Sequence, residues 1–333
     1  MLATRDIGVD LGTVNTLVYV DGRGIVLREP TVVALDAETQ QVVAIGERAH
    51  HVLKRAPARV VAVRPLRHGV IADYRVTEVL LRDLIRRAGA RRGMFRPRVV
   101  VCVPSCVTTV ERRAVIDAVI QAGARRAYVI EEPVAAALGA GLNIYEPVGH
   151  MVVDIGGGTT DIAVLSLGGV VVHDSLRIGG NAFDEAIVRY LRQEHNLLIG
   201  ERAAEELKFS IGTAQPERRQ AETEVRGRDL TSGLPRNVRM TAAEIYEAIR
   251  ETLLEIVQAV CRVLERTPPE LAGDIIDRGI VLTGGGALLD GIDALISQKT
   301  GVPTYTADDP LSCVALGTGL ALRGLDRLAL LTG

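Results

Sequence analysis

The sequence predicts an α/β protein of two related lobes, each built on its own sheet, with ligand-binding turns at the strand ends. Three observations carry this. Strand and helix signals alternate along the 333 residues, a length sufficient for two cores. Two glycine-rich hairpins, each opened by an aspartate at the end of an apolar strand, recur one per half of the chain. A third glycine turn, Thr283-Gly284-Gly285-Gly286, follows another apolar strand, where α/β sheets bind ligands.

The first hairpin is Asp10-Leu11-Gly12-Thr13-Val14-Asn15-Thr16, entered through Ile7 and Val9 and left through Leu17, Val18 and Val20. The second is Asp154-Ile155-Gly156-Gly157-Gly158-Thr159-Thr160-Asp161, between Met151-Val152-Val153 and Ile162-Ala163-Val164-Leu165. Glycine lets such a turn tighten and approach a phosphate. Its N–H groups form an anion-binding concavity, and the aspartate offers a hard oxygen to Mg2+ or to its water shell. Two such turns can clamp a polyphosphate from both sides. No Gly-x4-Gly-Lys-Ser/Thr element and no Gly-x-Gly-x-x-Gly behind a strand occurs, which argues against a P-loop protein and a dinucleotide fold.

The remaining elements follow in order. Residues 99–103 read as a buried strand ending at Pro104. Thr108-Thr109-Val110-Glu111 is a capping box. It opens a helix with Val115, Val119 and Ala122 on one stripe, Ile116 and Ile120 beside them, and Gly123 at its end. A short strand, Tyr128-Val129-Ile130, leads to Glu131-Glu132-Pro133 and an alanine-rich helix start. Residues 215–239 are polar, with Pro216, Gly227, Gly233 and Pro235, and suit a small β-rich subdomain. Thr241-Ala242-Ala243-Glu244 is a second capping box. Its helix carries Ile245, Ile249, Leu253, Ile256, Val260 and Leu264, and Thr267-Pro268-Pro269 stops it. Ile280-Val281-Leu282 is the strand before the third glycine turn, with a helix expected behind that turn.

Composition bounds the function. Hydrophobic residues make up 47% and charged residues 24%, as in soluble globular proteins. A net charge of −2 gives a nucleic-acid partner no support, and 3% aromatics without tryptophan leaves little for base stacking. The four cysteines form no Cys-x-x-Cys pair, which argues against zinc and fits reduced thiols. The first residues do not read as a signal peptide, and no apolar run approaches the roughly 18 residues of a membrane span.

These motifs resemble the superfamily of actins, heat-shock chaperone ATPases and sugar kinases. Within it the chain is similar to the MreB/Mbl family of bacterial actins. The resemblance rests on Asp6-Ile7-Gly8-Val9-Asp10-Leu11-Gly12-Thr13, Gly69-Val70-Ile71-Ala72-Asp73-Tyr74, Gly233-Leu234-Pro235-Arg236, Thr267-Pro268-Pro269-Glu270-Leu271 and the stretch Asp277–Leu289, and runs from about residue 5 to about residue 325. It implies an actin-like ATPase fold of two duplicated lobes around a nucleotide cleft, with two small subdomains. The expected divisions are 1–32, 66–143 and 313–333 for lobe I, 33–65 for its small subdomain, 144–180 and 245–312 for lobe II, and 181–244 for the other small subdomain.

The resemblance also assigns roles. Asp10 and Asp154 flank the β- and γ-phosphates of ATP and hold Mg2+ through water. Gly12, Thr13, Val14, Asn15, Gly156, Gly157, Gly158 and Thr159 surround the phosphates. Glu132 orients the attacking water, Asp161 is a second catalytic acid, and Glu131 is read as structural. Glu205, Glu206, Leu207 and Lys208 form an adenosine clamp, with Gly284, Gly285, Gly286 and Ala287 passing beneath the nucleotide. Two departures from the family pattern stand out: Gly180-Asn181-Ala182-Phe183 replaces a more acidic turn, and Arg67-His68-Gly69 lacks the usual acid.

The expected activity is slow Mg2+-dependent ATP hydrolysis coupled to polymerisation into paired protofilaments, with pairing through the helix near 109–122 and its Glu111, Arg112 and Arg113. The implied setting is the inner face of the cytoplasmic membrane, the implied partners are the cell-wall elongation machinery, and the role is maintenance of rod shape by organising peptidoglycan synthesis. Met94 and Phe95, amid Arg86, Arg87, Arg91, Arg92, Arg96 and Arg98, are the expected lipid-touching loop. The alternatives within the superfamily are a sugar-kinase-like phosphotransferase and a chaperone ATPase, for which no sugar-site segment and no peptide-binding module is seen.

Overall fold

The computed structural model describes residues 5–55, 59–89 and 96–324. Met94 and Phe95 lie outside the described residues, as do 325–333. The first strands, β1 (Ile7–Leu11), β2 (Asn15–Val20) and β3 (Gly24–Pro30), form an antiparallel meander. Then come β4 (Val33–Asp36), β5 (Val42–Ile45), α1 (Glu47–Arg55) and β6 (Val60–Val63), a small sheet of order β5-β4-β6. β7 (Leu66–Arg67) and β8 (Val70–Ile71) close on the turn His68-Gly69, with φ of 48° and 72°, as a type I′ hairpin requires. α2 (Tyr74–Arg87), β9 (Arg98–Val103), α3 (Thr109–Gln121), β10 (Arg126–Glu131) and α4 (Glu132–Gly139) complete the first half.

The second half repeats the plan. β11 (His150–Ile155), β12 (Thr160–Ser166) and β13 (Gly169–Leu176) form the meander. α5 (Gly180–Glu194), β14 (Leu197–Leu198), α6 (Glu201–Ile211), β15 (Glu222–Asp229) and β16 (Pro235–Thr241) follow, with the small sheet β14-β15-β16. α7 (Ala242–Arg266), α8 (Pro269–Arg278), β17 (Ile280–Thr283), a 3-10 turn (Gly285–Leu288), α9 (Ile292–Thr300), β18 (Thr304–Thr306) and α10 (Cys313–Arg323) end it. The large sheets run β10-β9-β1-β2-β3 and β13-β12-β11-β17-β18. In both, a three-strand meander gains two parallel strands beside its first strand. The duplication expected from the hairpins is therefore a duplication of sheet topology, and the actin-like fold is the one observed.

Local chemistry places the helix ends. Both capping boxes form: Thr108 with Glu111 opens α3, and Thr241 with Glu244 opens α7. The predicted stripe of α7 is buried at Ile245, Ile249, Leu253, Ile256 and Val260. In α3, Val115 and Val119 are buried but Ile120 is 37% exposed, because the core lies only under one face of that helix. The third glycine turn does not lead straight into a helix. A 3-10 turn intervenes, and α9 starts only after Gly291, whose φ of 74° redirects the chain.

Three large cores result. Alternate residues of each meander face outward-lying helices: Ile7, Val9, Leu11, Val18 and Val20 in lobe I, and Met151, Val153, Ile155, Ile162 and Val164 in lobe II. The opposite faces meet in a third core, where Tyr19, Val100, Cys102 and Ile130 pack with Val152, Ala163 and Leu165 around α4 and α10. These two helices approach very closely. A methyl on Gly317 would lie 1.8 Å from the Ala135 carbonyl oxygen, and one on Gly139 would lie 1.7 Å from that of Cys313. α10 thus returns the chain to β1 and β9, beneath the junction of the lobes. Among the described residues no helix is long and apolar enough to cross a membrane.

Candidate functional site

The two predicted hairpins meet tip to tip. A methyl on Gly157 would strike Val14 at 2.2 Å, and one on Gly158 would strike Thr13 at 2.6 Å. Only glycine permits this approach. Each turn is also braced from behind. Thr31 donates its hydroxyl to the Gly12 carbonyl (2.7 Å) and its backbone N–H to that of Val14 (2.7 Å). The first N–H groups of α5, from Gly180 and Asn181, bind the Gly156 and Gly157 carbonyls at 2.9 and 2.8 Å. The β7–β8 turn ties both hairpins: Gly69 N–H donates to Thr13 Oγ1 (2.9 Å), and His68 Nδ1 lies 3.4 Å from the Gly158 carbonyl.

Beneath the hairpins lies a cleft of about 550 Å3. Its walls include Asp10, Gly12, Thr13, Val14, Asn15, Asp154, Gly156, Gly157, Gly158 and Thr159, with Glu132, Glu205, Lys208, Gly284, Gly285 and Gly286. The structure thus gathers residues as far apart in sequence as Asp10 and Val314 into one cavity. Some predicted residues stand elsewhere. Glu206 is exposed and pairs with Arg202 at 2.9 Å, Leu207 is 3% exposed in the lobe II core, and Ala287 is buried there as well. Asp161 has no exposed surface and lies under the cleft floor rather than in its wall.

The electrostatics of the floor are dominated by buried acids. Burial pushes Asp10 up to about 7, opposed by the Cys102 thiol that donates to its Oδ1 at 3.5 Å. Burial likewise pushes Asp154 up to about 7, against the Thr283 hydroxyl that donates to Oδ1 at 2.7 Å. Glu132 heads α4, after Glu131 at the helix cap and before Pro133 in its first turn. Its carboxyl is pushed well above the usual range by burial first, then by Asp161, Asp154 and Asp10. Asp161 is raised by burial and accepts the Ser105 N–H at 3.0 Å. Within this buried pair the acids raise Glu132 further, through Asp161 itself and then Asp154 and Asp10, whereas the bond to Glu132 lowers Asp161. Ser105 also donates its hydroxyl to Glu131 (3.1 Å), which accounts for Glu131 as a positioning group in the loop.

The sequence reading missed the partner of Lys208. Its ammonium sits 2.8 Å from Asp184 Oδ1 and donates to the Gly180 carbonyl at 3.0 Å, on the first turns of α5. Asp184 stays at about 6 because burial outweighs Lys208. An acid four residues behind Gly180 was the available signal, but only the packing of α5 on α6 brings it to the lysine.

Comparison with known proteins agrees with this geometry. The family described as MreB/Mbl protein matches residues 4–329. The chain is 49% identical over 324 residues to the cell shape-determining protein Mbl of Bacillus subtilis, covering 97% of both chains. It is 51% identical over 328 residues to the cell shape-determining protein MreB of Escherichia coli, covering 97% of this chain and 94% of that one. The crystal structure of MreB5 of Spiroplasma citri bound to ADP superposes with a TM-score of 0.92 at 38% identity, covering 98% of each chain.

Proposed function

The chain belongs to the MreB/Mbl family, and we propose that it is an ATP-dependent, membrane-associated actin-like filament protein that maintains rod shape by organising peptidoglycan synthesis. The observation that carries the nucleotide part is the meeting of two duplicated acid-glycine hairpins over one cleft with Glu132 in its floor. Bracing the hairpin carbonyls from behind leaves the N–H edge of each turn for an anion. The side chains of Thr13, Asn15 and Thr159 and the turns at Gly157 and Gly158 would donate to phosphate oxygens.

The donor set also fits Mg2+. Asp10 and Asp154 are hard carboxylates facing one cleft, both raised by burial, and a divalent cation offsets that desolvation. No group of three or more candidate ligands closes around a metal among the described residues, which suits an ion that keeps its own waters. Asp10 and Asp154 would hold Mg2+ through water, where it neutralises charge on the β- and γ-phosphates. Glu132 would orient the attacking water and accept its proton, with Asp161 behind it. A carboxyl raised well above its usual range by burial, and hairpins without a lysine, would make hydrolysis slow; lobe closure in the polymer would bring water and base together.

Lys208 with Glu205 on one wall and Gly284–Gly286 on the other would hold the adenosine, and the lobe and subdomain divisions given above apply to this reading. Head-to-tail contacts that do not close would give protofilaments. Pairing would use the outer face of α3, where Val110 is 79% exposed; there Glu111 serves the capping box and Arg113 pairs with Asp117. Met94 and Phe95 would touch lipid at the inner face of the cell membrane, where the elongation machinery works.

The test is phosphate release and sedimentation of purified protein with Mg2+-ATP. The wild type should pellet with nucleotide and release phosphate faster once pelleted. Glu132→Gln should bind ATP but turn over on the order of 100-fold more slowly. Full turnover by Glu132→Gln in the assembled state would remove Glu132 as the base. Absence of both nucleotide-dependent pelleting and phosphate release in the wild type would overturn the whole reading.

A further inference from the structure

The two large sheets carry matching rows of register-paired side chains beginning at Asp10 and Asp154, and the rows differ in charge. In lobe II, Asp154 pairs in register with Asp161, and Asp161 with Ser175. In lobe I, Asp10 pairs with Leu17, and Leu17 with Arg28. Register partners share a face of the sheet. That face is set by the core: Val9, Leu11 and Val18 point into the lobe I core, so Asp10, Leu17 and Arg28 point the other way. All three line the cleft. Lobe I thus places an arginine in the row where lobe II carries a second acid and a serine.

Among the described residues the cleft is lined by two other cations, and each is engaged on the lobe II side. Lys208 is held by Asp184 and the Gly180 carbonyl. Arg219 donates to the Ser210 and Gly212 carbonyls at 2.6 and 3.1 Å, and lies 3.6 Å from Asp290. Arg28 is more loosely held. Its side chain is 51% exposed, donates to Ser312 Oγ at 2.6 Å, and stands 3.6 Å from the Asp309 carboxylate. Those partners belong to the segment before α10, which lies against the third glycine turn through the Gly284 N–H to Pro310 carbonyl bond (2.9 Å). An anion lying between the first hairpin and Gly284 would meet this guanidinium.

The geometry points to Arg28 as a cation that binds the polyphosphate of the nucleotide, held on Ser312 and Asp309 until the phosphates compete for it. This rests on the reading of the cleft as a nucleotide site. The acids of the floor make such a cation useful: Asp10 and Asp154 both repel a polyphosphate, and an arginine from lobe I offsets that without adding a positive charge to either hairpin. A guanidinium can exchange one oxygen partner for another with two parallel N–H groups, so leaving Ser312 and Asp309 costs it few hydrogen bonds. The exchange would also release the segment before α10, the helix packed against α4 and its Glu132.

The experiment is calorimetric titration of the full chain with ADP and, separately, adenosine, both with Mg2+. Wild type, Arg28→Gln, Arg28→Lys and Asp309→Asn are compared. Arg28→Gln should weaken ADP on the order of tenfold, the loss of one charged hydrogen bond, and leave adenosine unchanged. Arg28→Lys should fall between. Asp309→Asn, which releases the guanidinium, should bind ADP as tightly as wild type or more tightly. Equal ADP affinity in wild type and Arg28→Gln would overturn the assignment. So would parallel losses in Arg28→Gln and Asp309→Asn, which mark a structural clasp. Wild type that binds neither ligand would overturn the nucleotide reading itself, a result distinct from the other two.

Discussion

Glu132 and His150 show how burial sets the charge of single residues in this protein. Glu132 is pushed well above the usual carboxylate range by burial first and then by Asp161, Asp154 and Asp10, so positive charge entering the cleft would bring it back down. His150 begins β11, is 5% exposed, and leaves Nε2 without a partner. Burial lowers its pKa, with Arg278 acting in the same direction, against the Asn143 backbone, Glu146 and Asp274. The unfolded chain therefore takes the proton first. This contribution to stability is whole above the ordinary value of 6.5 and is lost as pH falls through the lowered folded value. Between about pH 7 and pH 5, the melting temperature of the wild type should fall further than that of His150→Gln. Identical pH profiles would show that His150 carries no such penalty.

At the scale of elements, the decisive contact is between α4 and α10. α4 begins with the candidate base, and α10 packs against α4. Their approach depends on Gly139 and Gly317, each facing a carbonyl oxygen of the other helix. Gly317→Ala places a methyl 1.8 Å from the Ala135 oxygen, so the helices must part. Overpacking of this kind costs about 1–3 kcal/mol or more. Gly273→Ala, in exposed α8 with nothing within 4 Å, should instead gain about 0.5–1 kcal/mol. Urea denaturation of the two variants gives the comparison, and a Gly317→Ala protein as stable as wild type would show that the helix pair tolerates separation.

At the scale of the whole molecule, two five-stranded sheets of one topology are joined by a shared core, with the cleft on the side where the hairpins meet. On the proposed reading, a ligand in that cleft would be coupled to lobe position, because the hairpins and the β7–β8 turn make contacts from one lobe to the other. Assembly multiplies weak surface contacts. On the proposed lipid contact, burial of Met94 and Phe95 would be worth about 1.5–3 kcal/mol each, too little to hold one molecule firmly once ordering losses are counted. A filament ties many such loops together. Replacing both residues with serine should abolish co-sedimentation with anionic liposomes in the presence of ATP while nucleotide affinity stays the same. Liposome binding at the wild-type level would refute Met94 and Phe95 as the proposed lipid contact.

Local physics made much of this protein legible in the sequence. Capping boxes, hairpin glycines, the apolar period of α7 and the acid at each strand end act over a few residues, so the sequence shows them directly. The duplicated hairpins were enough to expect two lobes and the phosphate-facing part of the cleft. Tertiary packing decided the rest. Leu207 and Glu206 lie beside Lys208 in sequence, yet helical rotation sends one to the core and the other to solvent. Lys208 takes Asp184 as partner because α5 packs on α6. Arg28 enters the cleft because three strands align Asp10, Leu17 and itself in one row. Each of these depends on which distant segments share a face, and that is fixed by the simultaneous burial of both sheets rather than by any local run of residues.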